Sequence, residues 1–436
     1  MDTTPFHLIL FALDIVVWGG LYLWICARRN NGSTRSAVYH FEKSLFTATP
    51  AATRSPSLIW DVTGVALFGG FGLVCFAVIS RLIFTNYVQE HVYNFNVGQC
   101  IAEGIAIHWT LFVIVAAALL FRNRRLFLAL LFACSALFLA AISFNVLYWE
   151  PYQLKVEHYT IKTSKLKKPL RIVFVSDMQT DRISSHEINT LKKIQQQNAD
   201  VIIFGGDYIQ TYQGTREKQL PEKFRQMFID HPLKTTLKYQ IDDDRVVDCV
   251  FAIQGNITGH GGASDANLFK DTCVNFIVPN STIIDDLGAD EGLGPIDLVL
   301  LSLGDSWGNV GTRGLTDSGN FIVMAGHCPN YAIDGWTNPK SGRSLSGYRN
   351  AERAPDLMLA GHTHGGQVVL PFYGPLTGWG DARIEQIPRN MRSGFFTYPN
   401  GGHLLITRGS GLERGWAPRI RLFCPSEICV IDILPE

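Results

Sequence analysis

The sequence has no excess of charge of either sign. Lys plus Arg number 38 and Asp plus Glu number 38 across 436 residues. Nucleic-acid binders carry a basic excess, and this balance argues against one. Paired cysteine motifs are also missing. Nine cysteines occur with no CxxC and no regular spacing, which excludes a zinc ribbon and a disulfide framework. Cys424 and Cys429 either pair in an oxidising compartment or are buried thiols. Charge of any kind is scarce, at 17% of residues against 47% hydrophobic. That scarcity is uneven along the chain, and the unevenness divides it.

Residues 1–150 hold four long apolar stretches, at 6–27, 62–80, 101–121 and 126–148. A helix of about 20 such residues spans a bilayer core. The first stretch is too long for a removable signal peptide and lacks a basic start and a small-residue cleavage site. A membrane unit of four transmembrane helices is expected, making the chain a multi-pass integral membrane protein. The loop after the first stretch carries Arg28, Arg29, Arg35, Lys43 and Arg54, and the loop after the third carries Arg122, Arg124 and Arg125. The loop between the second and third has only Arg81. Positive charge therefore places both odd loops in the cytoplasm and residues 151–436 on the extracytoplasmic side. Asp14 lies inside the first stretch, where it either pairs with His108 or marks a polar cavity, while Asp61 and Glu103 read as interfacial.

Beyond residue 150 short β-branched runs recur, at 171–176, 201–204, 250–253, 298–303, 321–324 and 356–359. Runs of this length and composition predict buried strands. Between the first two, Ile188, Leu191 and Ile194 fall on one helical face. Strand, amphipathic helix and strand make an α/β unit. The residues that follow the strands carry the chemistry: Asp177 and Gln179, then Asp207, Asn256, His327, and finally His362 with His364. Ligands of α/β sheets bind at that edge of the strands. Asp, Asn and His together suit a pair of divalent ions, manganese with iron or zinc as alternatives, better than an all-oxygen magnesium site. Two such ions polarise a phosphoryl oxygen and generate a nucleophile from water.

In order and type these blocks, SDMQ, GGD, GNIT, AGH and AGHTH, resemble the calcineurin-like metallophosphoesterases, whose pattern is D-x-H, G-D, G-N-H-[DE], H and G-H-x-H. The chain is most similar to the membrane-anchored, YkuE-like branch, through GHTHGGQ at 361–367 and the R-L-F-C-x-[PS]-E segment at 421–427. The resemblance covers residue 152 to the C-terminus. It implies a four-layer α/β/β/α sandwich as the domain at 151–436. It also implies Asp177, Gln179, Asp207 and His364 around one metal, and Asp207, Asn256, His327 and His362 around a second. Some members of that branch hydrolyse the pyrophosphate of UDP-2,3-diacylglucosamine, so the implied substrate is a phosphoester or pyrophosphate, lipid-linked in that case.

Two positions depart from the family pattern. Gln179 replaces the first-block His, as in the manganese-dependent ADP-ribose/CDP-alcohol diphosphatases, and retunes that metal. Ile257 replaces the His that serves near the phosphate, a group whose loss costs about 10²–10⁴ in rate. His260, in a glycine-rich stretch three residues on, either bends inward as the catalytic substitute or is an exposed loop histidine. Asp305 either orients a ligand His or caps a surface turn. A metal-binding scaffold with weakened catalysis, and a transporter with a regulatory domain, are the competing functions.

Overall fold

The computed structural model describes residues 126–436, apart from 211–218, 243–244, 258–264, 278–280, 290, 309–318, 335–336, 338–341, 343, 345–346, 376–381 and 414–418, together with Thr110, Val113, Ile114, Ala117, Ala118 and Phe121. The stretches 6–27 and 62–80, most of 101–121, and Asp14, Asp61, Glu103, His108 and His260 lie outside the described residues. The chain divides into two units at Asn145 and Val146. In the first, helix α1 (Leu126–Phe144) falls on the fourth apolar stretch. The helical run Leu126–Tyr152 is the one candidate membrane span among the described residues, by length and composition.

The second unit, Val146–Glu436, is built from strands. They are β1 (Leu154–Thr163), β2 (Leu170–Val175), β3 (Val201–Phe204), β4 (Lys238–Asp242), β5 (Arg245–Asp248), β6 (Val250–Ala252), β7 (Asn275–Phe276) and β8 (Thr282–Leu287). The second half adds β9 (Ile296–Leu300), β10 (Phe321–Gly326), β11 (Leu357–Ala360), β12 (Val369–Leu370), β13 (Gly374–Pro375), β14 (Gly394–Thr397), β15 (His403–Ile406) and β16 (Ser426–Pro435). Each of the six expected strands is present within a few residues of its predicted bounds.

Two six-stranded sheets result, in the orders β1-β16-β2-β3-β6-β7 and β14-β15-β11-β10-β9-β8. In the first, β2, β3, β6 and β7 run parallel, and β16 lies between β1 and β2, parallel to one and antiparallel to the other. In the second, β9, β10, β11 and β15 run parallel, with β8 and β14 antiparallel at its edges.

Alternation along β2 shows how the layers stack. Ile172 and Phe174 join a core shared with Leu298, Val323, Leu359 and Leu405 of the other sheet. Val173 and Val175 face the opposite way, onto Leu191 and Ile194 of helix α2 (Ser185–Gln195) and Phe224 and Phe228 of α3 (Leu220–Asp230). Successive side chains of a strand point to opposite faces, so a strand buried on both sides is apolar at every position. Helix α2 starts with a capping box, in which Ser184 accepts from His186 N and Glu187 returns a carboxylate to Ser184 N.

The outer face of the second sheet is covered differently from that of the first. Tyr331, Ile333, Tyr348 and Tyr398 cover Met324, Met358 and Leu404 there. These residues come from loops and from one-turn helices such as Pro329–Tyr331 and Arg389–Met391. Among the described residues no long helix forms this fourth layer. Bulky tyrosines whose hydroxyls bond to backbone carbonyls do the covering instead, as Tyr331 does to Met324 and Leu359.

Candidate metal centre

The turns after β2, β3, β6, β10 and β11 meet at one place. Asp177, Gln179, Asp207, His327, His362 and His364 are all buried there. Tight turns are needed to aim so many side chains at one spot. Asp177, Gln179, Asp207, His362 and His364 adopt left-handed φ values of 55°, 36°, 57°, 70° and 49°, making up five of the eleven such non-glycine residues among those described. This conformation is unfavourable for residues bearing a Cβ, and such strain concentrates at functional sites. Glycine supplies the clearance. A Cβ on Gly255 would sit 2.1 Å from the backbone N and Oδ1 of Asp207, and one on Gly361 would sit 2.4 Å from Asp177 Oδ2.

Asp207 is the hub. Its Oδ1 accepts from the backbone N of Ile257 at 2.7 Å, and its Oδ2 accepts from Gln179 Nε2 at 3.0 Å and lies 3.3 Å from His327 Nε2. The residue at the position of the missing histidine thus contributes a peptide N–H. Burial alone would raise the Asp207 carboxyl, but the charge and hydrogen bond of His327 hold it well below the ordinary range. In His327 burial pulls downward, yet Asp207 and then Asp177 raise the ring to about 9. Both its nitrogens face oxygens: Nδ1 donates to Gly205 O at 2.7 Å, and Nε2 is 2.7 Å from Asn256 Oδ1.

Asp177 receives the backbone N of His362 at 3.1 and 3.0 Å, and burial raises its carboxyl. His364 Nε2 lies 3.5 Å from Asp177 Oδ1, and burial lowers its ring to about 4. His362 packs edge-on against both His327 and Trp307, with ring centroids 5.2 and 5.1 Å apart.

The donors fit divalent cations. One carboxylate oxygen each from Asp177 and Asp207 and one ring nitrogen of His327 lie within 4.8 Å of one another. Gln179 Oε1 and both ring nitrogens of His364 are buried without a hydrogen-bond partner. Buried polar atoms are rarely left so, and a bound ion is one of the few explanations.

All seven sequence-predicted ligands are therefore neighbours, whereas His260 lies outside the described residues. Three further residues were missed. Glu413 Oε2 accepts from Gln179 Nε2 at 3.1 Å. Asp265 is buried nearby, its carboxyl raised to about 7 by burial and by the Asp207 charge. Cys328 is grouped with His327 and His362 by ligand-atom distance. Adjacency to His327 could have flagged Cys328, while nothing local marks the other two. The Asp305 carboxylate accepts from Ser281 Oγ. Trp307, two residues on, packs edge-on against His362.

The profile of the calcineurin-like phosphoesterases matches residues 170–366, the segment that carries every one of the seven candidate ligands. Residues 170–366 form a calcineurin-like phosphoesterase domain. Among the relatives of this chain, YkuE of Bacillus subtilis, an uncharacterized metallophosphoesterase, is 26% identical over 280 residues, 61% of this chain and 82% of YkuE. An uncharacterized metallophosphoesterase of Helicobacter pylori is 22% identical over 287 residues, 65% of this chain and 64% of the relative. The chain thus spans under two thirds of that relative's length. The UDP-2,3-diacylglucosamine pyrophosphatase LpxG of Chlamydia muridarum is 35% identical over 86 residues, covering 19% of this chain and 24% of LpxG.

Proposed function

We propose that this chain is a membrane-anchored, two-metal hydrolase of a phosphoester or pyrophosphate bond. The observation that carries the proposal is Asp207, a buried carboxylate shared between the Gln179 side and the His327 side of the centre. Asp177, Gln179, Asp207 and His364 would hold one cation, and Asp207, Asn256, His327 and His362 the other. When bound, a pair of such ions activates water and stabilises the leaving oxygen, with manganese the favoured metal. The protein's own part is positional. The Ile257 N–H fixes the orientation of Asp207. The Gly205 carbonyl holds the Nδ1 proton of His327, which leaves Nε2 to face the centre. Burial keeps the His364 ring neutral and ready to ligate. His260 is the candidate acid in place of the family histidine.

Anchoring is supported by the apolar helical run Leu126–Tyr152 and by the three apolar stretches before it. The basic loops between those stretches favour four spans and an extracytoplasmic domain. An anchored centre meets amphiphilic substrates at high local concentration, so a lipid-linked pyrophosphate such as UDP-2,3-diacylglucosamine is the proposed substrate class. The short match to LpxG supports that choice. Ile257 favours one alternative, a metal-binding scaffold with little turnover.

Detergent-purified full-length protein, stripped of metal and reloaded with Mn²⁺, decides between the two. Release from bis-nitrophenyl phosphate, a nucleoside diphosphate and UDP-2,3-diacylglucosamine is followed beside Asp207→Ala. Manganese-dependent release absent from the variant is expected. Two bound metals with no release from any substrate would leave the scaffold.

A further inference from the structure

We infer that Glu413 is a metal ligand of this chain, completing the cation position where Gln179 replaces histidine and biasing it toward the harder Mn²⁺ over Zn²⁺. The inference rests on the two-metal reading above and extends its ligand set.

Glu413 is held by backbone rather than left on a free loop. Ser410 N and Gly411 N donate to the carbonyls of Ser176 and Asp177, each at 2.9 Å, which docks the segment on the turn after β2. Gly411 permits this approach, since a Cβ there would lie 1.8 Å from Met178 O. The fully buried Arg421 guanidinium gathers the carbonyls of Arg408, Gly411 and Cys424. Glu413 N donates to Gln367 Oε1 at 2.9 Å, on the turn after β11. The residue is thus tied to the ligand-bearing turns of both sheets.

Its carboxylate is aimed as well. Oε1 accepts from Gln210 Nε2 at 2.9 Å, which orients the group, while Oε2 lies 3.1 Å from Gln179 Nε2 and 3.8 Å from His364 Nε2. Gln179 Nε2 therefore bridges two carboxylates, Asp207 at 3.0 Å and Glu413 at 3.1 Å, while its Oε1 is buried without a partner. A half-turn of the amide exchanges oxygen for nitrogen without a change of shape. That turn presents three oxygens to the point between Asp207 and Glu413, next to His364 and Asp177. Imidazole at the first-block position suits zinc and iron, whereas carboxylate and carbonyl oxygens suit manganese and magnesium.

Titration of metal-stripped full-length protein with Mn²⁺ and Zn²⁺, by calorimetry and by the electron paramagnetic resonance of bound Mn²⁺, tests this without any turnover. The wild type is expected to bind two Mn²⁺. Glu413→Gln keeps the shape and a hydrogen-bonding oxygen but loses the charge. It is expected to weaken one Mn²⁺ site about 10–100-fold, leave the other unchanged, and affect Zn²⁺ less. Melting of the metal-free variant checks its fold. If it does not fold, Glu413→Asp, which withdraws the carboxylate by one methylene, is expected to weaken the same site. Wild-type affinity at both sites in a folded variant overturns the ligand role and leaves the two-metal reading standing. A wild type that binds fewer than two Mn²⁺ overturns both.

Discussion

The two sheets bring different chemistry to the same centre. The first sheet brings the candidate oxygen donors, Asp177, Gln179, Asp207 and Asn256, from the turns after β2, β3 and β6. The second brings the candidate nitrogen donors, His327, His362 and His364, from the turns after β10 and β11. Neither sheet alone offers a mixed set. The centre exists only where both are packed, so whatever fills it cross-links the two halves of the sandwich. Metal affinity and the stability of the sheet-to-sheet core are then expected to be linked quantities.

The largest expected effect breaks the link at its hub. Asp207→Ala should lower turnover by about 10³-fold or more, because metal activation is worth several kcal/mol of barrier and each 1.36 kcal/mol is tenfold. Metal analysis of the same sample should show depleted occupancy, whereas full occupancy would deny Asp207 its bridging place. His362→Ala removes a donor of the second sheet only. It should cost one metal of two, and unchanged stoichiometry would mean that the sheets do not share the task.

Removing the metals should lower the melting temperature. Ligand at about 100 times its dissociation constant stabilises by about 2.7 kcal/mol, worth about 5–10 °C in a domain of this kind. Equal melting with and without Mn²⁺ would show that the core forms independently of the centre. The stripped protein should also respond to pH through His327. Its pKa is raised from 6.5 to about 9 in the fold, with burial opposing and Asp207 prevailing. A raised value stabilises fully below 6.5, and that contribution fades as pH passes through about 9. The melting temperature of stripped protein is therefore expected to fall between pH 6.5 and 9.5, with a smaller fall once metal has displaced the ring proton.

Gly255→Ala tests the packing of the seam. The added carbon meets backbone at 2.1 Å, and overpacking costs about 1–3 kcal/mol, measurable by denaturant titration. The smallest effect is expected far from the seam. Ser184→Ala removes the cap of α2 and should cost about 1 kcal/mol with turnover intact. A loss of activity there would tie the outer helical layer to the centre.

Local pattern made the candidate ligands readable. Asp177, Asp207, Asn256, His327 and His362 each follow a short apolar run, and a strand that ends in a turn is a local signal. The capped helix between β2 and β3 was readable in the same way, from Ile188, Leu191 and Ile194. What escaped was non-local. Strand β16 pairs Ser426 with Leu154 and Cys429 with Phe174, across more than 250 residues in each case, and no local periodicity encodes a partner. Glu413 sits in a segment without period, and reaches Gln179 only because Ser410 and Gly411 bond to the β2 turn. The tyrosine-built outer face of the second sheet was invisible for a similar reason, since no amphipathic helix announces it. Cys424 and Cys429 are free and buried, with the Cys424 thiol 3.4 Å from His364 O.

The position of β16 has a consequence for how the protein is made. Strand β1 touches the rest of its sheet through β16, and β16 ends at Pro435. Until Ser426–Pro435 has been made, the space between β1 and β2 is empty and two rows of backbone amides stand open. The second sheet, whose strands lie wholly between Thr282 and Ile406, is complete in sequence before then. Synthesis therefore passes through a stage with one finished half and one unfinished half, and the sheet begun first is the sheet closed last.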